Sequence, residues 1–449
     1  MELDLTRGGV TRSILAFSLP LMVGNFFQQC YNVADTLIVG RFIGPQALAA
    51  VGASYTLMTF LTSVLLGLCM GSGVVFSFYW GAGDTPRLRR SVFHAFLLIL
   101  AVTAVIQAGG LLLLDGILRL LRVDPLVYGR TREYLAVVLW GTALVALYNF
   151  CCAVLRSMGN STAPLIFLIL SSLLNVGLDY LLVVPMGLDV YGAGLATVIS
   201  QGMAAALALG YCLIRAPRVR PGRDMLRFDR EILTRVSRLS FLACLQQSIM
   251  NFGILMIQGL VNSFGVTVMA GFAAAVKIDN FAYMPMQDFG NAFSTFVAQN
   301  RGAGQDLRVE EGRRSALRLI LITGAIISLA VCLGAEALVG AFVGRSERAV
   351  VAAGVGYLRV VGPCYCLIGI LFLLYGFYRG LDRAGMSVVL TVISLGTRVV
   401  LAYALAPRLG VGIVWWAIPI GWALADAVGL VYYHKKVRGR TGPAEGTPL

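Results

Sequence analysis

The sequence predicts an all-α integral membrane protein with twelve transmembrane helices, in two parallel-repeat six-helix lobes around a central cavity. Three observations lead to this fold class. The 449-residue chain is 58% hydrophobic and 13% charged, with a mean hydropathy of +0.81, whereas soluble chains are about 45–50% apolar and about 25% charged. Long apolar segments recur along the whole chain, and the two halves of the chain carry similar motifs.

Twelve apolar segments reach the length of about 20 residues that a helix needs to cross the hydrocarbon core. The second and eighth are longer than required, which indicates tilt, a bend or an extension beyond the membrane. Pro285 gives the eighth segment a position at which to bend. The segments lie at 14–39, 47–80, 92–114, 134–156, 162–184, 192–214, 238–262, 268–298, 316–338, 357–379, 386–406 and 413–433.

Basic residues predict the orientation of these spans. Arginines concentrate in alternate loops and in the central segment RAPRVRPGRDMLRFDREILTR, while the opposite loops hold fewer, partly balanced by acids. The positive-inside rule therefore places both termini in the cytoplasm, in agreement with an even number of spans. The net charge of +14 is then explained by cytoplasmic loops of a multi-pass protein in the inner (cytoplasmic) membrane, and no nucleic-acid partner is expected.

The central basic segment divides the chain into two sets of six spans. We expect a first lobe at 1–215, a cytoplasmic basic linker at 216–237, a second lobe at 238–436 and a cytoplasmic tail at 437–449. LIVGRFIGPQALAAVG in the first half resembles LVNSFGVTVMAGFAAA in the second, and LRSMGNSTAP resembles YRGLDRAGMS. Six helices per repeat keep the same topology, and parallel repeats with a site at their interface are typical of transporters.

Two acids lie inside the apolar segments of the first half. Asp35 is the only charge in the first segment, and Asp179 lies in the fifth, one helical turn after Asn175. A carboxylate at membrane depth costs several kcal/mol and usually has a function. We expect Asp35 and Asp179 to carry a cation or a proton. The alternative is that they cap broken helices or pair with basic residues near the interface.

The residues around these acids extend the candidate site. Asn175 and Asp179 share one helix face, Thr197 adds a hydroxyl and Asn149 an amide. This set of hard oxygens suits Na⁺ or a proton and does not suit zinc. Two close carboxylates cannot both stay ionised cheaply, so one of them is expected to hold an exchangeable proton. Taken singly, Asn149 and Thr197 are equally well explained as hydrogen-bonding groups between helices.

The second half lacks such a carboxylate pair and offers a different polar set. Asp279, Tyr283 and Gln287 lie on one face of the eighth segment, and methionines add adaptable apolar surface. Such a lining suits flat, amphipathic cations, although ordinary helix packing together with a Lys277–Asp288 pair explains the pattern equally well. The candidate substrate contacts are Gln247, Met250, Met256, Asp279, Tyr283, Met286 and Gln287.

Enzymatic chemistry is poorly represented in the sequence. It contains no P-loop, HExxH or GxSxG motif. The nine cysteines form no CxxC pair, and there are two histidines, so a transition-metal site is not indicated. We therefore expect neither an enzyme nor a cofactor, but small-molecule substrates and a coupling ion, H⁺ or Na⁺.

Nearly the whole chain resembles the multidrug and toxic compound extrusion (MATE) transporters. The resemblance rests on LPLMVGNFFQQCYNVADTLIVGRFIGPQALAAVG, LRSMGNSTAP, LNVGLDYLLVVPMGLDVYGAGLATVISQ and PMQDFGNAFSTFVAQNRGAG, in this order and spacing. The residues Asp35, Asn175 and Asp179 resemble those of the DinF-like branch. The resemblance implies that these three residues gather with Asn149 and Thr197 inside the first lobe as a cation or proton site, with Na⁺ held by Asp35, Asn175, Asp179 and Thr197.

The resemblance also implies a function. We expect a monomeric secondary antiporter that exports organic cations or amphipathic drugs in exchange for H⁺ or Na⁺ by alternating access. One alternative is a lipid-linked-precursor flippase of the same superfamily, which would have fourteen spans and a basic cavity. An integral-membrane enzyme is a weaker alternative, because it would need catalytic residues clustered at the interface.

Overall fold

The computed structural model describes residues 3–220, 222, 225, 227–343 and 347–437, and within them every regular element is helical. The predicted tail beyond Val437 and four positions of the predicted linker lie outside the described residues. The all-α fold is thus confirmed. The helices of the first half are α1 (Val10–Ile38), α2 (Pro45–Gly81), α3 (Thr85–Leu112), α4 (Leu114–Leu120), α5 (Pro125–Trp140), α6 (Thr142–Ser157), α7 (Thr162–Val183) and α8 (Asp189–Arg215).

The second half repeats this layout without a counterpart of the short α4. Its helices are α9 (Arg230–Asn262), α10 (Val266–Gly302), α11 (Asp306–Val343), α12 (Arg348–Val361), α13 (Tyr365–Gly380), α14 (Ala384–Leu409) and α15 (Gly412–Tyr432). A short 3-10 turn, Gly362–Cys364, joins α12 to α13. Two π-helical segments follow α1 and α15, at Val39–Ile43 and Tyr433–Val437.

Each predicted span coincides with a helix or a pair of consecutive helices. In the described chain, ten helical segments are long and apolar enough to cross a membrane, and α5 with α6, bent by 44°, makes an eleventh. The remaining predicted span is α10, which is helical over 37 residues. It carries Lys277, Asp279 and Asp288, and these charges lower its hydropathy. Length and composition of the described helices therefore identify ten or eleven membrane-spanning segments, fewer than the twelve predicted from the sequence.

Helix contacts divide the described chain into two compact units. The first unit contains Leu3 and Leu19–Cys244, and the second contains Asp4–Ser18 and 245–437. In the first unit, α2 packs on α3, α5 and α6, and α8 packs on α5, α6 and α7. In the second unit, α10 packs on α11, α12 and α13, and α15 packs on α12, α13 and α14. The same packing scheme therefore occurs in both units, as duplicated halves require.

Left-handed backbone positions support the duplication. Gly44 before α2 and Gly265 before α10 both have positive φ, at 112° and 95°, a region that glycine adopts without steric strain. Three further left-handed positions of the first half recur at nearly constant spacing in the second. These pairs are Gly83 with Gly304, Gly159 with Asp382, and Gly187 with Gly410. The turns between helices are thus built in the same way in the two halves.

Small residues set the closest helix contact of the second unit. A Cβ atom at Gly376 of α13 would lie 2.1 Å from the carbonyl oxygen of Gly290 in α10. The two backbones therefore touch directly, as small residues allow in membrane helices. Phe293 of α10 and Phe377 of α13 stack beside this contact, with ring centroids 6.3 Å apart.

Candidate functional site

The first part of the candidate site lies where α1 loses regular helical geometry. Asp35 is in the last turn of α1, directly before the π-helical segment Val39–Ile43. Such π-helical insertions occur frequently at functional sites. α7 packs against this segment and carries Asp179. The contact brings two acids that are far apart in the sequence to one place in the first unit.

The Asp35 and Asp179 carboxyl groups face each other within hydrogen-bonding range. Asp179 is 0% exposed, and no donor reaches either of its oxygens or Oδ1 of Asp35 within the described chain. A hydrogen bond between two carboxyl groups requires one proton on the pair, because two ionised carboxylates supply acceptors alone. The geometry therefore suits a pair that shares one proton or binds a cation.

Asn175 enlarges this group of unsatisfied polar atoms. Its side chain is 2% exposed, and neither Oδ1 nor Nδ2 finds a partner among the described residues. It lies one turn before Asp179, on the same face of α7. A buried polar atom without a partner costs about 1–3 kcal/mol. Several such atoms at one place indicate a site that a cation or proton would stabilise.

Two tyrosines complete the group, and both were missed by the sequence analysis. Tyr31, one turn before Asp35, forms a side-chain hydrogen bond with Thr197 of α8 and lies within electrostatic reach of both acids. Tyr134 of α5 lies in the same electrostatic neighbourhood. The spacing of Tyr31 from Asp35 was a usable signal, whereas nothing in the sequence marked Tyr134. Thr197 is thereby placed at the site; its hydroxyl also donates to the Ala193 oxygen at 3.1 Å.

Apolar side chains surround this group. Tyr134 is part of a buried cluster whose other members come from the end of α1, from α2 and from helices α5, α7 and α8. Those members are Val39, Ala47, Val138, Val183, Val190 and Ala193. Their burial excludes water and lowers the local dielectric constant, so that electrostatic interactions at the acids are stronger than in water.

Asn149, the remaining predicted site residue, lies on α6 and is half-buried. Its amide Nδ2 donates to the Val145 oxygen of its own helix at 2.8 Å. This back-bond is the ordinary way in which a polar side chain is satisfied inside a helix. The four residues that the structure places together are Asp35, Asn175, Asp179 and Thr197. The described chain contains no group of three or more His, Cys, Asp or Glu side chains able to hold a metal ion.

In the second unit, Asp279 has partners of its own. Its side chain is 7% exposed, and Oδ2 accepts a hydrogen bond from the Tyr357 hydroxyl at 3.0 Å. Arg398 of α14 and Tyr365 of α13 also lie within electrostatic reach of it. Asp279 therefore has a hydrogen-bond donor and a positive charge within reach, whereas its Oδ1 has no partner within the described chain.

The other candidate substrate contacts differ in exposure. Met286 is 1% exposed and packs against Gly369 of α13, which is an ordinary packing position. The Tyr283 hydroxyl donates to Oδ1 of Asn280 at 2.6 Å. The remaining side chains are half-buried; they are Gln247, Met250, Met256, Tyr283 and Gln287.

Comparison with known proteins places the chain among transporters. The MatE family model matches twice, at residues 20–181 and 241–404. A probable multidrug resistance protein of Bacillus subtilis is 28% identical over 398 residues, covering 87% of each chain. DNA damage-inducible protein F of Escherichia coli is 24% identical, covering 83% of this chain and 81% of its own. The fold matches an outward-facing multidrug resistance MATE family transporter of the MOP superfamily, with a TM-score of 0.92, 23% identity and 99% of each chain covered.

Proposed function

The chain belongs to the MATE family of multi-pass membrane transporters, and we propose that it is a secondary antiporter. It exports organic cations or other amphipathic compounds in exchange for H⁺ or Na⁺. The observation that carries this proposal is the pairing of the half-buried Asp35 with the buried Asp179, which face each other without a basic partner among the described residues. Relatives named as multidrug resistance proteins support the class of cargo.

The coupling ion acts on this carboxyl pair. When the pair shares one proton, a second proton or a Na⁺ ion neutralises the remaining charge in surroundings of low dielectric constant. Asn175, Thr197 and Tyr31 supply the further oxygens that a hard cation prefers. Each charge that moves through the full membrane potential contributes about 2.3 kcal/mol per 100 mV.

The first helix converts this local change into movement. α1 contains Pro20 in its interior and ends in a π-helical segment, and both features weaken the regular hydrogen-bond ladder. A change of partner at Asp35 alters the balance between straight and bent forms of α1. Exchange of ion for cargo by alternating access follows when the two forms differ in their affinity for cargo.

The orientation, membrane and oligomeric state of the protein are also part of the proposed function. The basic loops place both termini in the cytoplasm by the positive-inside rule, and the protein acts as a monomer in the inner membrane. A flippase for lipid-linked precursors is not favoured, because the buried polar group of the first unit is acidic and suits a cation.

The test uses purified full-length protein in proteoliposomes. Efflux of a fluorescent organic cation is measured under a pH gradient, a Na⁺ gradient, both, or neither. We expect one of the two gradients to accelerate efflux, and we expect this acceleration to be lost in Asp35→Asn. An efflux rate that is independent of both gradients would contradict the proposal. Flipping of a labelled lipid-linked sugar with no cation efflux would contradict it as well. Glu133→Gln, which removes an exposed acid of the first unit, is the matched control.

A further inference from the structure

A third unpartnered acid lies in the second unit, outside both groups described above. Asp426 of α15 is 5% exposed, and neither of its carboxyl oxygens has a hydrogen-bond partner within the described chain. An ionised carboxylate buried in this way costs several kcal/mol unless a cation compensates it. The charges and polar groups on the neighbouring helices therefore decide what Asp426 does.

The positive charges near α15 either interact with other groups or are exposed, as Lys435 and Lys436 of the following π-helical segment are. Arg379 of α13 donates to Oδ1 of Asn291 at 2.8 Å and to the Ser294 hydroxyl at 3.4 Å. Arg398 of α14 lies within electrostatic reach of Asp279. The other arginines within the helices that pack on α15 are exposed; they are Arg348 and Arg359 of α12 and Arg408 of α14. None of these arginines forms an ion pair or a hydrogen bond with Asp426 within the described chain.

Tyrosines supply the titratable groups that remain on these helices. The Tyr357 hydroxyl is committed to Asp279 at 3.0 Å, and the Tyr378 hydroxyl to the Gly429 oxygen at 2.6 Å. Tyr375 of α13 is buried and lies within electrostatic reach of Asp426. Tyr375 is therefore the titratable side chain whose electrostatic interaction reaches Asp426.

Hydrogen bonds connect Tyr375 of α13 to α14. The Tyr375 side chain shares a hydrogen bond with Thr391. The Thr391 hydroxyl in turn donates to the backbone carbonyl oxygen of Ser387 at 2.9 Å, and the Ser387 hydroxyl donates to the backbone carbonyl oxygen of Tyr375 at 3.0 Å. These contacts fix Tyr375 between α13 and α14.

We propose that Asp426, with Tyr375 beside it, is a second proton-binding site of this protein, separate from the Asp35 and Asp179 pair. The acid is held protonated and neutral in the buried state and gives up its proton when the site opens to water. A proton fits better than a metal cation, because hard cations surround themselves with six or more oxygen atoms. Asp426 lies about 9 Å along α15 from the end of the helix at Tyr432, the end that the positive-inside rule places in the cytoplasm.

The test is chemical labelling of the purified full-length protein, without any transport measurement. Dicyclohexylcarbodiimide (DCCD), an apolar carbodiimide, reacts with protonated carboxyl groups in apolar surroundings, and mass spectrometry of peptides locates the product. We expect labelling of Asp426 at acidic pH and its loss as the pH is raised. Glu311, an exposed acid of the same unit, is expected to react with a water-soluble carbodiimide but not with DCCD.

Two variants make the outcome decisive. In Asp426→Asn, we expect the peptide that contains position 426 to carry no DCCD label. The thermal midpoint of unfolding should stay unchanged or rise, because asparagine resembles the neutral acid. Tyr375→Phe keeps the label but shifts the pH at which it disappears. No DCCD label on folded protein at any pH, label independent of pH, or a strongly destabilised Asp426→Asn would overturn the proposal. Because no gradient or cargo is involved, this result stands apart from success or failure of the antiport proposal.

Discussion

The carboxyl groups of Asp35 on α1 and Asp179 on α7 interact directly, although more than a hundred residues separate them in the sequence. α7 packs against the π-helical segment that follows Asp35, and this contact creates the pair. No basic side chain is ion-paired with either acid among the described residues. The alternative that these acids are neutralised by snorkelling arginines is therefore not supported.

We predict that Asp35→Asn abolishes gradient-driven export and leaves the protein folded. The substitution removes the charge on which the coupling ion acts, but asparagine keeps the shape of the side chain. Proteoliposome efflux under an imposed gradient measures the loss, and size-exclusion chromatography in detergent measures folding. Normal gradient-driven efflux by this variant, alongside Glu133→Gln as control, would show that Asp35 does not bind the ion.

Asp179→Asn and Asn175→Ala are predicted to weaken the dependence of export on the coupling ion. The double variant Asp35→Asn/Asp179→Asn should be no worse than the more severe single variant, since residues that act as one unit are strongly non-additive. The four-protein cycle is measured by initial efflux rates over a range of pH and Na⁺ concentration. If the efflux rate of the double variant falls by the product of the two single-variant losses, the two acids belong to separate sites.

Tyr31→Phe is predicted to lower the apparent affinity for the coupling ion a few-fold, because it removes a hydrogen bond to Thr197 that contributes about 1 kcal/mol. The ring and its packing remain. Titration of efflux rate against the coupling ion provides the measurement. Tyr55→Phe, at an exposed tyrosine of the same unit, is the control and should leave the titration unchanged. Equal shifts of the apparent ion affinity in Tyr31→Phe and Tyr55→Phe would show that Tyr31 is not part of the ion site.

Asp279→Asn is predicted to destabilise the protein by about 2 kcal/mol, because Arg398 then loses the acid that offsets its charge. Thermal unfolding of purified protein measures this change. The double variant Asp279→Asn/Arg398→Met should recover much of the loss. In the fraction of Asp279→Asn protein that remains folded, the selectivity for cargo should change more than the dependence of export on the gradient. Loss of coupling with cargo binding intact would place an ion-coupling role on Asp279.

Gly376→Ala is predicted to cost about 1–3 kcal/mol through overpacking, since its Cβ atom would meet the Gly290 backbone at 2.1 Å. Gly396→Ala is the matched control, because no atom lies within 4 Å of its added Cβ, and alanine is the better helix former. Thermal unfolding in detergent compares the two. Equal midpoints would mean that α10 and α13 separate readily at this contact.

Several parts of the molecule could be predicted because they depend on composition and spacing along the chain. Apolar length located every helix or helix pair that makes a predicted span, since a span in lipid must satisfy its own backbone hydrogen bonds. The similarity of the two halves is confirmed by the double family match and by the recurring left-handed turns. Asp35, Asn175 and Asp179 stood out because polar groups are rare in such segments.

Other parts could not be predicted, because they depend on how each helix is rotated about its axis. Tyr134 joins the acids only through the packing of α5, and tyrosine is too common in membrane helices to be informative. Asn149 bonds to its own helix, and Met286 packs against a glycine, although their residue types suited a site equally well. Asp426 is visible in the sequence as one acid in the last span, but its lack of a partner is a tertiary fact.

The sequence by itself therefore determined the helices, the duplication and the acids placed among apolar residues, because hydrophobic length and burial cost act locally along the chain. The tertiary structure alone decided which acids are neutralised. Asp279 accepts a hydrogen bond from Tyr357 and lies within electrostatic reach of Arg398, Asp35 faces Asp179, and Asp426 lies within electrostatic reach of Tyr375. The physical reason is that electrostatic interaction between side chains depends on distances of a few ångströms between helices, and these distances are set by packing.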